Sequence, residues 1–338
     1  MFGDGQGNYP KGAYLDCVQI HMCWSPKVVD AIYYGLNDPD PRDERIGALA
    51  GLLDLRDGTN YTGLNPKEER LIRHIGLTGH SNSPVLMECL QRDDRGIFDT
   101  LLVAVNPNDR KRLCHQYNVI PVARAKGVGV IGMKVFADGA MYGKPADWTR
   151  DYHDLIHTVG SRRLPSRALI RYTLSTPGVD TCIIGIGHID NDPARCQLER
   201  NIHDAQIIDP LDTGERRHIE QLTAAVAGDG TNWFQLPNWT LSPPRNIRLK
   251  QRREGDARRI RLEWDTAIAL DEPLVRYEIT RDYHRVASVP HRPQVSLREP
   301  FVYEDVLTDR EAHVYVLATV DAAGRTASSK EYFVPAIG

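Results

Sequence analysis

The stretch YLDCVQIHMCW, Tyr14–Trp24, decides how the first two-thirds of the chain reads. It is a short apolar strand with a histidine, His21, at its C-terminal end. In α/β barrels, the residues at that end of a strand face the mouth where chemistry is done. Four more apolar runs follow it: RHIGLTG (73–79), DTLLVAV (99–105), GVGVIGMKV (127–135) and TCIIGIG (181–187). Helical patterns lie between or after them. They are SPVLMECLQR (83–92), NDRKRLCHQYN (108–118), LPSRALIRYTLS (164–175) and PARCQLERNIHDA (193–205). In the first of these Ser83 is expected to cap and Pro84 to occupy the first turn. Continuous apolar strands alternating with amphipathic helices imply a parallel sheet covered on both faces. The insert from Lys27 to Leu64 is rich in Asp, Gly, Pro and Asn and reads as an over-long loop.

After FQLPNWTLSPP (234–244) the pattern changes to period two. RNIRLKQ, RIRLEWD, VRYEITRD, VYEDV, AHVYVLATVD and RTASSKEYFV alternate polar with apolar, so an antiparallel sandwich is expected. The expected organisation is a parallel α/β unit over 1–236, a linker over 237–244 and a sandwich over 245–338.

The chain has 338 residues, of which 41% are hydrophobic and 26% charged, with a formal net charge of −3. Such a balance offers no basic field for nucleic acid or anionic membrane. No apolar run approaches the roughly 20 residues that span a bilayer. The start, MFGDGQGNYPKGAY, lacks the charged and apolar regions of a signal peptide, so none is expected. Cys17, Cys23, Cys89, Cys114, Cys182 and Cys196 form no CxxC pair, which favours reduced thiols and a cytoplasmic setting. Cys114-His115 is expected in mid-helix without a second ligand pair, so no metal site is assigned.

Five segments in order resemble the later part of an aldo-keto reductase, a (β/α)8 barrel that uses NAD(P)H. YLDCVQIH is similar to that family's fourth strand, IRHIGLTGHS to the fifth, FDTLLVAVNP to the sixth, GVGVIGMKVFADG to the seventh and RYTLSTPGVDTCIIGIGH to the last helix and eighth strand. QLERN (197–201) resembles the helix start beside the cofactor phosphate. The match runs from about Ala13 to Ala205. It implies an incomplete TIM-type barrel, strands four to eight, with strands one to three and the catalytic Asp, Tyr and Lys expected upstream of Met1. The region from about Ser242 to Pro335 is similar to a fibronectin type III domain. Trp264, Tyr277 and Tyr315 stand at its recurrent aromatic positions and read as core fillers.

The resemblance implies a site as well as a fold. His21 would orient a substrate carbonyl; the alternative is a satisfied core histidine. Thr78 and Asn106 would hold the nicotinamide carboxamide, although Gly79 stands where an amide side chain is common and Asn106 also suits a turn before Pro107. Met133 would pack on the nicotinamide ring and Lys134 lie near the pyrophosphate, where a plain surface lysine is the alternative. Gly185 and Gly187 would let the backbone approach a phosphate, or simply form a tight turn. Gln197 and Asn201 complete the expected cofactor contacts. His80 points into the same mouth or caps the following helix, and the cap is preferred.

The function expected on these grounds is NADP- or NAD-dependent reduction of a small carbonyl substrate. This chain alone would be inactive for want of its proton donor. The other reading is a non-catalytic binding protein, made of a degenerate barrel and a sandwich that contacts a protein or polysaccharide. An exported form is also open, if a signal sequence stood with the first three strands. The cluster Arg248, Lys250, Arg252, Arg253, Arg258, Arg259 and Arg261 is interleaved with Glu254, Asp256 and Glu263. It reads as a solvated strand face rather than a nucleic-acid patch.

Overall fold

Five parallel strands in sequential order carry the first part of the molecule. The structure is a computed structural model that describes residues 8–111, 114–137, 164–185, 189–206, 209–227 and 240–337. Strands β1 (Leu15–Ile20), β2 (Ile72–Gly79), β3 (Thr100–Ala104), β4 (Gly129–Met133) and β5 (Thr181–Cys182) pair in the order β1-β2-β3-β4-β5. All four pairings are parallel. The order never reverses, so right-handed crossovers put every connecting helix on one face. Packing agrees. Ile75, Leu77, Leu101, Val103 and Val130 are fully buried in one cluster with Leu86, Leu90, Val119, Ile120 and Ala123. Those last five belong to the helices α3 (Ser83–Arg92) and α4 (Val119–Ala125).

The second face differs from the expectation of cover on both sides. Cys17 and His74 on it are exposed. Gln19, Thr78 and Thr100 form a polar network instead of an apolar layer. Gln19 Nε2 donates to Thr100 Oγ1 (2.7 Å), and Thr78 Oγ1 donates to Gln19 Oε1 (3.3 Å). Gly76 lies between Gln19 and Thr100 in register. A Cβ there would come within 2.3 Å of both Gln19 Oε1 and Thr100 Oγ1, so the close approach requires glycine.

The insert after β1 is built rather than loose. It holds α1 (Pro26–Tyr33) and α2 (Ala48–Asp57). Behind them the buried Asp54 accepts bonds from Thr59 Oγ1 (2.6 Å), Tyr61 N (3.1 Å) and both Thr62 N (2.8 Å) and Thr62 Oγ1 (2.6 Å). Burial pushes its carboxyl up, but these bonds outweigh it and hold it below the ordinary value. Two other local expectations are corrected. The cap of α3 is Asn82, whose Oδ1 accepts from Val85 N (3.3 Å), because Ser83 Oγ is taken by Val119 N (3.2 Å). The segment 108–118 is not one helix: Asp109–Lys111 and His115–Tyr117 are separate 3-10 turns, and Cys114 is the non-helical residue before the second. The later helices are α5 (Ser166–Leu174), α6 (Gln197–Ala205) and α7 (Thr213–Ala227). α6 begins four residues past the expected Pro193.

The C-terminal part is a sandwich of two antiparallel sheets. One has the order β10 (Phe301–Leu307), β7 (Ala257–Asp265), β6 (Arg245–Glu254). The other runs β12 (Thr326–Ser328), β11 (His313–Asp321), β8 (Leu274–Arg281), β9 (His284–Pro290), with β13 (Tyr332–Val334) also on β11. Both sheets feed one core. Trp264, Tyr277 and Tyr315 are fully buried there, as expected of core fillers. Trp264 stacks on Phe301 (5.9 Å between centroids, 13° interplanar) and meets Tyr277 edge-on at 5.6 Å. The expected linker is partly ordered: Leu241 enters this core, and Ser242 Oγ accepts from Ile268 N at 2.7 Å. Residues 237–239 lie outside the described residues.

One correction concerns the basic cluster. Arg258 is not on the solvated face; strict alternation along β7 puts it inside with Ile260, Leu262 and Trp264. Its Nη2 donates to Asp309 Oδ1 and to Glu311 O (both 2.7 Å), and its Nη1 donates to Pro335 O (3.0 Å). Asp309 also meets His313 Nε2 (2.9 Å), whose Nδ1 bonds Asp282 (2.6 Å). Burial pushes the His313 imidazolium down, but the two carboxylates outweigh it and raise its pKa above the ordinary 6.5. A raised histidine contributes stability that is full below about pH 6.5 and is lost as pH rises through its folded value. His291, which burial pushes down to about 4, titrates in the opposite sense. The test therefore compares proteins. The gap in thermal midpoint between wild type and His313→Gln should be widest near pH 6 and close towards pH 9. A gap that is constant with pH would sink this assignment.

Candidate functional site

The C-terminal rim of the parallel sheet brings together His21, Thr78, His80, Met133 and Lys134. The turn after β1 is tied to the end of β2 by Cys23 N donating to Thr78 O (3.1 Å). Met22, in that turn, has φ +61°, and Lys134, directly after β4, has φ +57°. Non-glycine residues reach this left-handed region at a cost, and such positions cluster where a rim must aim its side chains.

His21 is exposed, and its ring meets that of His80 edge-on at 5.7 Å. His80 faces His21 and does not cap α3, since Asn82 does. Burial pushes the His80 imidazole down to about 4, helped by Lys134, His21 and His115. At neutral pH it is uncharged. Behind it, His115 is buried, and its Nε2 bonds His80 O at 3.1 Å. Because the partner is a carbonyl, Nε2 carries the hydrogen, and Nδ1 is left as an acceptor with no partner among the described residues. Burial holds this ring near 4 as well. His115 thus bonds the His80 backbone, and the neutral His80 ring meets the exposed His21 edge-on.

Asn106 is placed at the end of β3 but is occupied. Its Oδ1 accepts from Asn108 N (3.1 Å) and Asp109 N (2.9 Å), and its Nδ2 donates to Asp109 Oδ2 (2.5 Å) and Lys134 O (3.1 Å). It is the turn residue, and it clamps the end of β3 to the end of β4. Thr78 is buried, with its hydroxyl turned to Gln19. Met133 is buried at the end of β4. Gly185 is exposed with open space where a Cβ would stand. Gly187 lies outside the described residues.

Gln197 and Asn201 sit one turn apart on α6, away from the histidines in sequence and joined by Gln197 Nε2 donating to Asn201 Oδ1 (2.7 Å). They are 1% and 0% exposed. Gln197 Oε1 and Asn201 Nδ2 have no partner among the described residues. The unmatched acceptor and donor thus belong to two different amides, whose other atoms bond each other. Buried groups left this way are costly without a ligand or water.

Sequence reasoning weighed His115 only as a metal ligand and missed its bond to His80, and it missed the Gln19–Thr100 network. Gln19 carried a signal, since it lies two residues before His21 and so shares its side of the strand. For His115 there was none, because its partner is 35 residues away and set by the fold. Among the described residues, no group of three or more His, Cys, Asp or Glu side chains is arranged to hold a metal ion. No described helix is long and apolar enough to cross a membrane.

No protein-family model matches the chain, and no curated protein matches it. Solved structures are similar to the chain over short stretches, two of them as follows. One is pectate lyase Pel3 from Pectobacterium carotovorum, 14% identical over 27% of this chain and 27% of that one, with a TM-score of 0.19. The other is superoxide reductase in the oxidized state, 11% identical over 29% of this chain and 92% of that one, with a TM-score of 0.20. The chain thus spans about a quarter of the pectate lyase it matches. At such scores neither likeness bears on fold or activity here.

Proposed function

We propose that the parallel unit is part of a TIM-type barrel of aldo-keto reductase kind that reduces a small carbonyl substrate with NADP or NAD. The observation that carries this reading is His21, an exposed imidazole at the C-terminal end of a strand in a sequentially ordered parallel sheet. Rim positions of that sort are where barrels place chemistry. His21 donates a ring N–H to the substrate oxygen and orients the carbonyl. His80 and His115, both neutral, back it without adding charge that would repel a second proton. The bound nicotinamide supplies hydride. Gln197 and Asn201, on the helix start that resembles the one beside the cofactor phosphate, and Lys134 at the rim are the cofactor contacts this reading expects. The sandwich order, β10-β7-β6 against β12-β11-β8-β9, supports the fibronectin-type reading of the second unit.

A second reading is a non-catalytic binding protein. It is favoured by the occupied amide of Asn106 and by the contacts of His21, which among the described residues include His80 but no tyrosine hydroxyl or lysine. Titration of the chain with NADPH and NADH, followed by nicotinamide fluorescence, separates the two. The oxidoreductase reading expects saturable binding of one of them, weakened at least tenfold in Asn201→Ala. With aldehyde substrates, any turnover should fall at least tenfold in His21→Ala, in the range that a positioned acid or base supplies. Absence of binding at millimolar cofactor would leave the binding-protein reading standing.

A further inference from the structure

The outward face of the β10-β7-β6 sheet carries a block of cations that the rim chemistry does not use. The edge strand β6 presents Arg248, Lys250 and Arg252 outward at two-residue spacing, about 6.8 Å per step. Register sets Lys250 opposite Arg261 and Arg252 opposite Arg259. Like charges directly opposite one another destabilise a sheet, so this arrangement opposes folding rather than helping it. Arg259 and Arg261 are partly compensated. Arg259 pairs with Glu254 (3.0 Å) and Glu304 (3.1 Å), and Arg261 with Glu263 (2.8 Å) and Glu304 (2.6 Å). Arg248 pairs with Glu263 (3.4 Å), and the Lys250 charge also helps hold that carboxyl down, but neither Lys250 nor Arg252 makes an ion pair within 4 Å among the described residues. Lys250, Arg252, Glu254, Arg259, Arg261 and Glu304 line a groove of about 270 Å³.

We propose that this face binds an acidic polysaccharide along β6. Three features select that class. The cation row is linear and suits a polymer with repeated carboxylate or sulfate groups, which guanidinium forks grip in two places. Glu254 and Glu304 stand inside the block; both are paired with its arginines, and their carboxylates keep further lone pairs that a sugar's hydroxyls can use and a phosphodiester backbone cannot. The outward residues of β10 are Val302, Glu304 and Val306, and those of β6 and β7 include no aromatic ring, so bases have no stacking platform here. A single-stranded nucleic acid is therefore the disfavoured occupant.

The test uses the full chain in low salt, with fluorescein-labelled alginate and heparin as the two anionic probes, dextran as the neutral one and a single-stranded oligonucleotide. Binding of alginate alone assigns carboxylate recognition; binding of heparin, alone or with alginate, extends it to sulfate. Lys250→Glu/Arg252→Glu should weaken that binding at least tenfold. Its thermal midpoint should stay equal or rise, because a like-charge contact has been removed; Lys250→Gln/Arg252→Gln, a milder change, should weaken binding less. Failure of both anionic probes to bind overturns the proposal. So does a double variant that binds as wild type does, or an oligonucleotide bound as tightly as the polysaccharides.

Discussion

Arg258→Ala is expected to lower the unfolding free energy by about 3 kcal/mol, read as a shift in the urea midpoint at unchanged slope. The side chain is fully buried although it is charged. Its partner Asp309 keeps a side chain 46% exposed and retains His313 Nε2 and Glu311 N as donors after the change. The loss therefore does not come from stranding that carboxylate. It comes from the cavity left by the stem, roughly 2 kcal/mol, and from the carbonyls of Pro335 and Glu311 losing a donor, about 1 kcal/mol together where water reaches them. Arg258→Met separates the two parts. Refilling the stem while leaving the carbonyls bare should recover about two-thirds of the loss. A loss below about 1 kcal/mol in Arg258→Ala would show that solvent already reaches the site, against the burial described.

The second large effect concerns the junction between the two units. Asn118 Nδ2 donates to Cys114 O (2.8 Å) and Ala269 O (3.1 Å), while its Oδ1 accepts from Ala269 N (2.9 Å). Ala269 is fully buried and belongs to no strand, so this amide is what satisfies its backbone. Asn118→Ala strips a buried N–H and a buried C=O at once and is expected to cost about 2–3 kcal/mol. Isosteric Asn118→Leu would not rescue it, because the need is polar. Neighbouring bonds moderate the result: Gln91 Nε2 donates to Gln294 O (2.8 Å), Lys126 Nζ to Val295 O (3.2 Å), and Arg110 pairs with Glu272 (2.6 Å). Hydrogen exchange at the Ala269 amide reads the effect directly. Exchange should accelerate by about a hundredfold, the equivalent of that free energy. An unchanged rate would mean that another group shields this amide.

The parallel strands and the sandwich strands were legible because their signals are local. Apolar runs such as DTLLVAV and period-two runs such as RIRLEWD leave little choice of element. The same alternation places Arg258 with Ile260, Leu262 and Trp264, so its burial was readable from β7; composition, which counted it among seven basic residues, obscured it. β9 went unread, since HRVASVP carries no apolar alternation strong enough to stand out. The Lys27–Leu64 insert looked like a loop because Gly, Asp and Pro dominate it, yet Asp54 gathers Thr59, Tyr61 and Thr62 and organises it. At α3 two adjacent residues were eligible caps. Only the distant claim of Val119 N on Ser83 Oγ decided for Asn82.

For the rim the division is sharper. Sequence placed His21, Thr78 and Met133 near the ends of parallel strands, since strand ends follow from where an apolar run stops. It left Asn106 between turn and ligand, and the structure shows the amide fully engaged in the turn. By itself, then, the sequence determined the five parallel strands, most of the sandwich strands and which side of a sandwich strand faces the core, because periodicity acts between residues two to four apart. Only the tertiary structure decided which polar groups meet. Gln19 finds Thr100 across 81 residues and Asn118 finds Ala269 across 151, and such pairings depend on register and packing that no local pattern encodes.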